Sequence, residues 1–303
     1  MAALVAVIWG LCFVLIQAAL PSPAPLLLAA LRALIGGGVL AACVVLRPVA
    51  RRPRTAQSSR SAPRSGLPSM PVLIALAVAN AALALGAMYL AAGQAEAAVA
   101  SILGGGQPLV LAAAGWALFG ERASRRSVAG LAVAMVGVVL VATGSSGATS
   151  LDGVGLALLA TAAPAAGTVL MRRVAPTVDL LATTSAQFLL GGAILLAASV
   201  VFEPWGSVSW SPAMLLGLFV LGVLGTGLAY VAWFWLLDRV SLVRLGAALF
   251  LVPVVGIVAA IVTGERPGGD ELAGIAALLV GIGIVSVGGP SASRADEPAR
   301  QTA

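Results

Sequence analysis

The sequence predicts an all-α integral membrane protein of ten transmembrane helices, arranged as two inverted five-helix repeats. Three observations carry this. The chain lacks the charge a water-facing surface needs, its apolar runs are long enough to span a bilayer, and one short motif occurs twice at equivalent places. Of 303 residues, 60% are hydrophobic and 9% charged, with a mean hydropathy of +1.08. A soluble domain carries about 25% charged residues.

A helix crosses the hydrocarbon core in about 20 apolar residues, and charges or turn residues divide the chain into runs of that length. The spans are read as 2–19, 25–46, 70–92, 97–119, 127–143, 153–171, 180–202, 212–237, 244–263 and 271–289. Runs this long are helical, because an open strand edge leaves backbone groups unpaired in lipid. The first run is followed by small residues and prolines, as a cleaved signal would be. No basic segment precedes it and further spans follow, so it is read as a retained helix.

Arginine placement sets the orientation. All 17 basic residues are arginine. With the N-terminus inside, 15 of them fall on the even-numbered connections and the C-terminal tail, among them Arg47, Arg51, Arg52, Arg125, Arg126, Arg172, Arg173, Arg239 and Arg294. This bias predicts cytoplasmic termini in a multi-pass protein of the cell membrane. The net charge of +6 does not point to nucleic acid, since the basic residues sit in short loops beside spans. Residues 47–69, rich in Arg, Pro and Ser, are read as a disordered cytoplasmic linker serving as topology signal and spacer, with contact to anionic lipid heads as the other reading. Residues 290–303 are read as a disordered cytoplasmic tail. Cys12 and Cys43 both fall inside spans, which favours small core residues over a disulfide framework or a metal site. Nothing calls for a cofactor.

The halves are visible as internal repetition. Gly120, Glu121 and Arg122 recur as Gly264, Glu265 and Arg266, 144 positions later. At the same offset Gly130 matches Gly274 and Gly137 matches Gly281, each pair two helical turns apart and read as a tight packing face. Upstream, Arg32 to Gly37 resembles Gln187 to Gly192 at an offset of 155. The first repeat is therefore 1–145 and the second 151–289. Five spans per repeat force the second copy to enter the membrane from the opposite side, a geometry that belongs to secondary transporters.

Trp9-Gly10 in the first span, Leu31-Arg32 in the second, a proline-containing span, then Gly-Glu-Arg and a glycine-punctuated span, all echoed in the second half, resemble the EamA type of drug/metabolite transporter. The resemblance covers essentially the whole chain, to about Gly289, and the doubled Gly-Glu-Arg is its most specific part. It implies ten helices, cytoplasmic termini, a central cavity, and movement of metabolites or amino acids, commonly outward. The expected partners are a small-molecule solute and membrane lipid, with a homodimer allowed.

In inverted-repeat carriers the binding site is marked by helices broken by Gly or Pro at corresponding places. Spans four and nine fit. Gly104, Gly105, Gly106, Gln107 and Pro108 interrupt one, and Pro253 with Gly256 the other, each proline freeing a carbonyl about one turn earlier. Close packing and a plain kink are the competing reading. Arg32 is the one basic residue within a span. A charge there costs about 2.5 to 3.5 kcal/mol on insertion scales, so it must face protein or water. It either attracts an anionic group such as a carboxylate or stitches helices through their carbonyls, and its counterpart is the neutral Gln187.

The remaining pathway candidates are Trp9, Gln17, Asn80, Tyr89, Thr168, Tyr230 and Trp233. Tyr89 and Trp233 also suit interfacial anchoring, the role read for Trp116, Trp205, Trp210 and Trp235. Together they predict a mostly apolar and aromatic cavity for a small amphipathic solute. Glu121 and Glu265 are read as loop structure, pairing locally with Arg122, Arg125 or Arg266. Glu96, at the start of span four, is the one acid placed to carry a proton near the pathway, so facilitated or weakly coupled export is favoured. An enzyme is disfavoured: the chain has no His, no paired acidic motif within a span and no phosphate-binding loop. A channel or a non-transporting membrane partner is the remaining alternative.

Overall fold

The computed structural model describes residues 2–19, 24–46, 66–96, 99–100, 103, 106–107, 125–144, 149–174, 177–237, 251–264 and 268–287. Among them all regular structure is helical, with no strand. In chain order the long helices are α1 (Ala2–Ala19), α2 (Pro25–Leu46), α3 (Met70–Ala91), α4 (Arg125–Gly144), α5 (Leu151–Val174) and α6 (Leu180–Phe202). Then come α7, continuous through Pro212–Phe219, Val220–Leu228 and Ala229–Leu237, α8 (Leu251–Val262) and α9 (Gly269–Val287). The fourth expected span, the basic linker up to residue 65, the Gly-Glu-Arg motifs and the tail lie outside the described residues, apart from Gly264 and a few positions of span four.

Among the described residues, five helices are long and apolar enough to cross a membrane: Pro25–Leu46, Met70–Ala91, Leu151–Met171, Leu180–Phe202 and Pro212–Trp233. Their starts follow from capping chemistry. Pro25 opens α2, where its missing N–H costs nothing. The Asp179 carboxylate accepts from the Ala182 amide at 3.0 Å to start α6, and Ser211 accepts from Met214 at 3.2 Å ahead of Pro212 in α7. Large apolar side chains such as Phe202, Val136 and Val280 are turned outward, an arrangement suited to a hydrocarbon solvent.

Two helix pairs form the frame, and both run antiparallel. In α2 and α6, a β-carbon placed on Gly37 would lie 2.9 Å from Leu189 Cγ, and one on Gly192 would lie 2.9 Å from Leu34 Cγ. In α4 and α9, a β-carbon on Gly137 would meet Leu278 N at 2.6 Å and Gly274 O at 2.7 Å. One on Gly281 would meet Ala134 N at 2.5 Å and Gly130 O at 2.6 Å. Only glycine lets these backbones approach so closely. The glycines that recur in the sequence are therefore the crossing points of the two pairs.

The main core gathers α1, α2, α3, α6 and α7 around Leu28, Leu40, Ala81, Phe188 and Leu221. A second, smaller core joins α4 and α9 to α5 and the end of α3 through Ala134, Val154, Ala157, Ile275 and Leu278.

Helices α3 and α7 depart from regular α geometry at matched places. Each contains a π-helical stretch, Val78–Leu83 in one and Val220–Leu228 in the other. Neither stretch holds a proline. Packing accounts for the wide turns of α7: Ile35 and Val39 of α2, four residues apart, press on Gly222 and Gly227, five residues apart. The i→i+5 repeat of a π turn brings those two glycines onto one face. Such turns recur at functional sites.

Candidate functional site

The two π stretches are where polar side chains converge. Arg32 of α2 is 4% exposed, and its Nε donates to Thr226 Oγ1 in the π stretch of α7 at 3.1 Å. Its other nitrogens rest on sulfur, Nη1 on Met88 Sδ at 3.8 Å and Nη2 on Cys12 Sγ at 3.4 Å. The Thr226 hydroxyl passes its own proton to Leu221 O at 3.2 Å. Small residues make this contact feasible, since Gly36 lies against Thr226 and Gly225 lies beside Arg32 and Cys12.

The corresponding place in the other half carries a neutral tie. Gln187 of α6, 3% exposed, accepts from Asn80 Nδ2 in the π stretch of α3 at 3.0 Å. Gly191 lies against Ala81 there, as Gly36 lies against Thr226. Each member of the α2–α6 pair thus sends one buried polar side chain into the π stretch of a different helix. One tie is charged and the other is not.

An aromatic run lines the charged side. Trp9 lies 5.7 Å from Tyr230 and 5.5 Å from Trp233 between ring centroids, and Phe188 meets Tyr230 edge-on at 5.1 Å. Such tilted and edge contacts are favoured by the ring quadrupoles. Trp9 Nε1 donates to Gly225 O at 3.1 Å, tying α1 to the π stretch of α7. Tyr89 is 3% exposed in the same core, its hydroxyl oxygen engages the Arg32 guanidinium, and its own proton has no acceptor among the described residues.

Of the residues singled out from sequence, the structure brings together Trp9, Arg32, Tyr89, Tyr230 and Trp233, with Asn80 and Gln187 forming the second tie. It places others apart. Thr168 is exposed and donates back to Pro164 O of its own helix at 2.8 Å. Gln17 Nε2 reaches Ala95 O at 3.3 Å, at the end of α3. Glu96 sits at the same junction, its amide bonded to Thr149 Oγ1 at 3.1 Å just before α5. Gln107 is half-buried. Pro253 falls within α8. Pro108, Glu121, Arg122, Glu265 and Arg266 lie outside the described residues.

Sequence reasoning overlooked Thr226, Met88, Phe188 and Glu203; Cys12 is the small core residue expected, and its sulfur also meets Arg32. Thr226 had one available signal, a lone hydroxyl in the glycine-rich run Gly222 to Gly227. Glu203, just beyond α6, accepts from the amides of Leu26 at 2.6 Å and Leu27 at 2.8 Å, and from Ser199 Oγ at 2.5 Å. It thereby caps α2 from another helix.

Comparison with known proteins agrees with this architecture. A relative from Salmonella typhimurium, named as a probable amino-acid metabolite efflux pump, is 30% identical over 301 residues, covering 94% of this chain and 93% of its own. One from Bacillus subtilis (strain 168), named as an uncharacterized transporter, is 27% identical over 88% of this chain and 83% of its own. A solved crystal structure shares the fold with a TM-score of 0.66 at 22% identity, covering 94% of this chain and 96% of that one. The family described as EamA-like transporter matches residues 1–143 and again residues 151–287. With both matches together spanning nearly its whole length, the chain belongs to the EamA-like transporter family and is a multi-pass membrane transporter.

Proposed function

We propose that the chain is a secondary transporter that moves a small amphipathic metabolite or amino acid outward across the cytoplasmic membrane, by alternating access between two inverted five-helix halves. One observation carries the reading. Exchanging the halves turns the contact of Gly37 with Leu189 into that of Gly192 with Leu34, and the contact of Gly137 with Leu278 into that of Gly281 with Ala134. Because both pairs are antiparallel, the operation that exchanges them is a two-fold perpendicular to the helices, in the plane of a membrane. Inverted repeats of this kind let inward and outward states interconvert by trading the conformations of the halves.

The solute path in this reading runs between the halves, past the two polar ties and the aromatic run of Trp9, Tyr230 and Trp233. The π stretches give α3 and α7 the local irregularity that discontinuous helices supply in other carriers. Arginine sidedness supports cytoplasmic termini. The name of the Salmonella typhimurium relative supports both outward movement and an amino-acid-like cargo. Glu96 lies at a helix junction, so proton coupling through it would act at one mouth of the path.

The test is flux. Purified protein in liposomes is loaded with a solute panel headed by amino acids, and release is compared with protein-free vesicles. Saturable release of a subset of solutes is expected. Ion conductance without solute selectivity would favour a channel, and no movement of any solute would favour a non-transporting partner.

A further inference from the structure

Arg32 places a formal positive charge inside the bundle, and among the described residues no carboxylate acts on it. Arg32 is 4% exposed, and its partners are two sulfurs and the hydroxyls of Thr226 and Tyr89. A guanidinium carries five N–H donors, and thioether or thiol sulfur accepts only weakly. Two neutral hydroxyl oxygens are therefore the strong acceptors among these contacts, too few for five donors. The described acids Glu96, Asp152, Asp179, Glu203 and Asp270 stand at or beyond helix ends. A buried cation paired in this way recovers little of its desolvation cost.

A second group points the same way. Tyr89 is 3% exposed, its hydroxyl oxygen engages the guanidinium, and its own proton has no acceptor among the described residues. A buried O–H donor left unmade is expensive, and native proteins seldom tolerate one without a reason. The wall formed by Arg32 and Tyr89 thus offers more donors than acceptors. Trp9 and Tyr230 pack on the same core and supply apolar ring faces beside it.

We propose that Arg32 and Tyr89 form an anion subsite on the solute path, taking the carboxylate of a small organic acid whose apolar body lies against Trp9 and Tyr230. An amine on that solute is dispensable, because no described carboxylate stands nearby to receive it. The proposal rests on the transport reading above. The carboxylate pairs in a two-pronged fashion with Nη1 and Nη2 and displaces their contacts to Met88 and Cys12, while Nε stays on Thr226. The Tyr89 hydroxyl donates to one of the carboxylate oxygens.

The experiment is thermal unfolding of the purified protein in detergent with matched probes: isovalerate, phenylacetate and indole-3-acetate, each against its primary amide. At least one acid is expected to raise Tm by several degrees more than its amide, and phenylalanine to raise it no more than phenylacetate. Arg32→Gln should abolish the difference, and Tyr89→Phe should weaken the apparent affinity about tenfold, one neutral-to-charged hydrogen bond's worth. If Arg32→Gln does not fold, Tyr89→Phe decides alone, since it removes a single hydroxyl and no ring. No acid exceeding its amide, or variants responding like wild type, would overturn the subsite. Liposomes that still release neutral solutes would then leave transport standing. Acids that bind through Arg32 in a protein that moves nothing would instead sink the transport reading alone.

Discussion

Gly37 of α2 lies directly beneath Leu189 of α6, so close that a β-carbon on the glycine would come within 2.9 Å of Leu189 Cγ. Leu34 covers Gly192 at the same distance in the reverse sense. This reciprocity makes α2 and α6 the seam on which the two halves meet, and it has consequences for stability.

Alanine at either seam glycine must push a leucine aside. Gly37→Ala and Gly192→Ala should each destabilise by about 1–3 kcal/mol, the usual cost of overpacking, and by similar amounts because their surroundings match. Gly38→Ala is the control. Nothing lies within 4 Å of its β-carbon position, so it should be neutral or stabilising by up to about 1 kcal/mol. Unfolding in detergent measures all three, and equal losses at Gly37 and Gly38 would contradict the packing argument. Gly137→Ala should lose more than Gly37→Ala, since backbone atoms of Leu278 and Gly274 face it and cannot turn away.

Thr226 Oγ1 accepts from Arg32 Nε at 3.1 Å and ties α2 to the π stretch of α7. Thr226→Val keeps the shape and removes that acceptor, a loss of about 1.5–3 kcal/mol for a bond to a charged group. Flux from liposomes should fall about tenfold or more while the amount of protein in the membrane fraction stays unchanged. Thr226→Ser should retain most of the flux. Equal flux in the valine and serine variants would remove Thr226 from the pathway.

Much of this was legible before any coordinates. The apolar runs 25–46, 180–202 and 212–237 begin where α2, α6 and α7 begin. Arg32 announced itself by its cost in lipid, and the spacing of Gly130, Gly137, Gly274 and Gly281 announced a crossing. The partners did not announce themselves. Thr226 is 194 residues from Arg32, and a hydroxyl in an apolar helix usually bonds its own backbone. The π stretches were hidden for a similar reason: the segments carry no proline, and the wide turn of α7 follows from Ile35 and Val39 seating on glycines five residues apart. Sequence pointed to the proline-bearing spans four and nine, whereas the matched irregularity among the described residues is in spans three and eight.

Glu203 ties the ends of two helices that belong to different halves. Its carboxylate satisfies the amides of Leu26 and Leu27, which α2 itself leaves unpaired. Glu203→Ala should cost about 1–2 kcal/mol and speed hydrogen exchange at those two amides. Glu203→Gln retains an acceptor oxygen and should cost less. Exchange at Leu26 and Leu27 that does not change in the alanine variant would show that the cap contributes nothing.

The arrangement of the halves is decided most directly by where α4 and α9 begin, since the two helices are antiparallel equivalents. Arg125→Cys and Asp270→Cys, each made in a Cys12→Ser, Cys43→Ser background, can be labelled on intact cells with a membrane-impermeant maleimide. The inverted architecture predicts that the position 270 variant reacts from outside and the position 125 variant reacts only after permeabilisation. Labelling of both from the same face would contradict it.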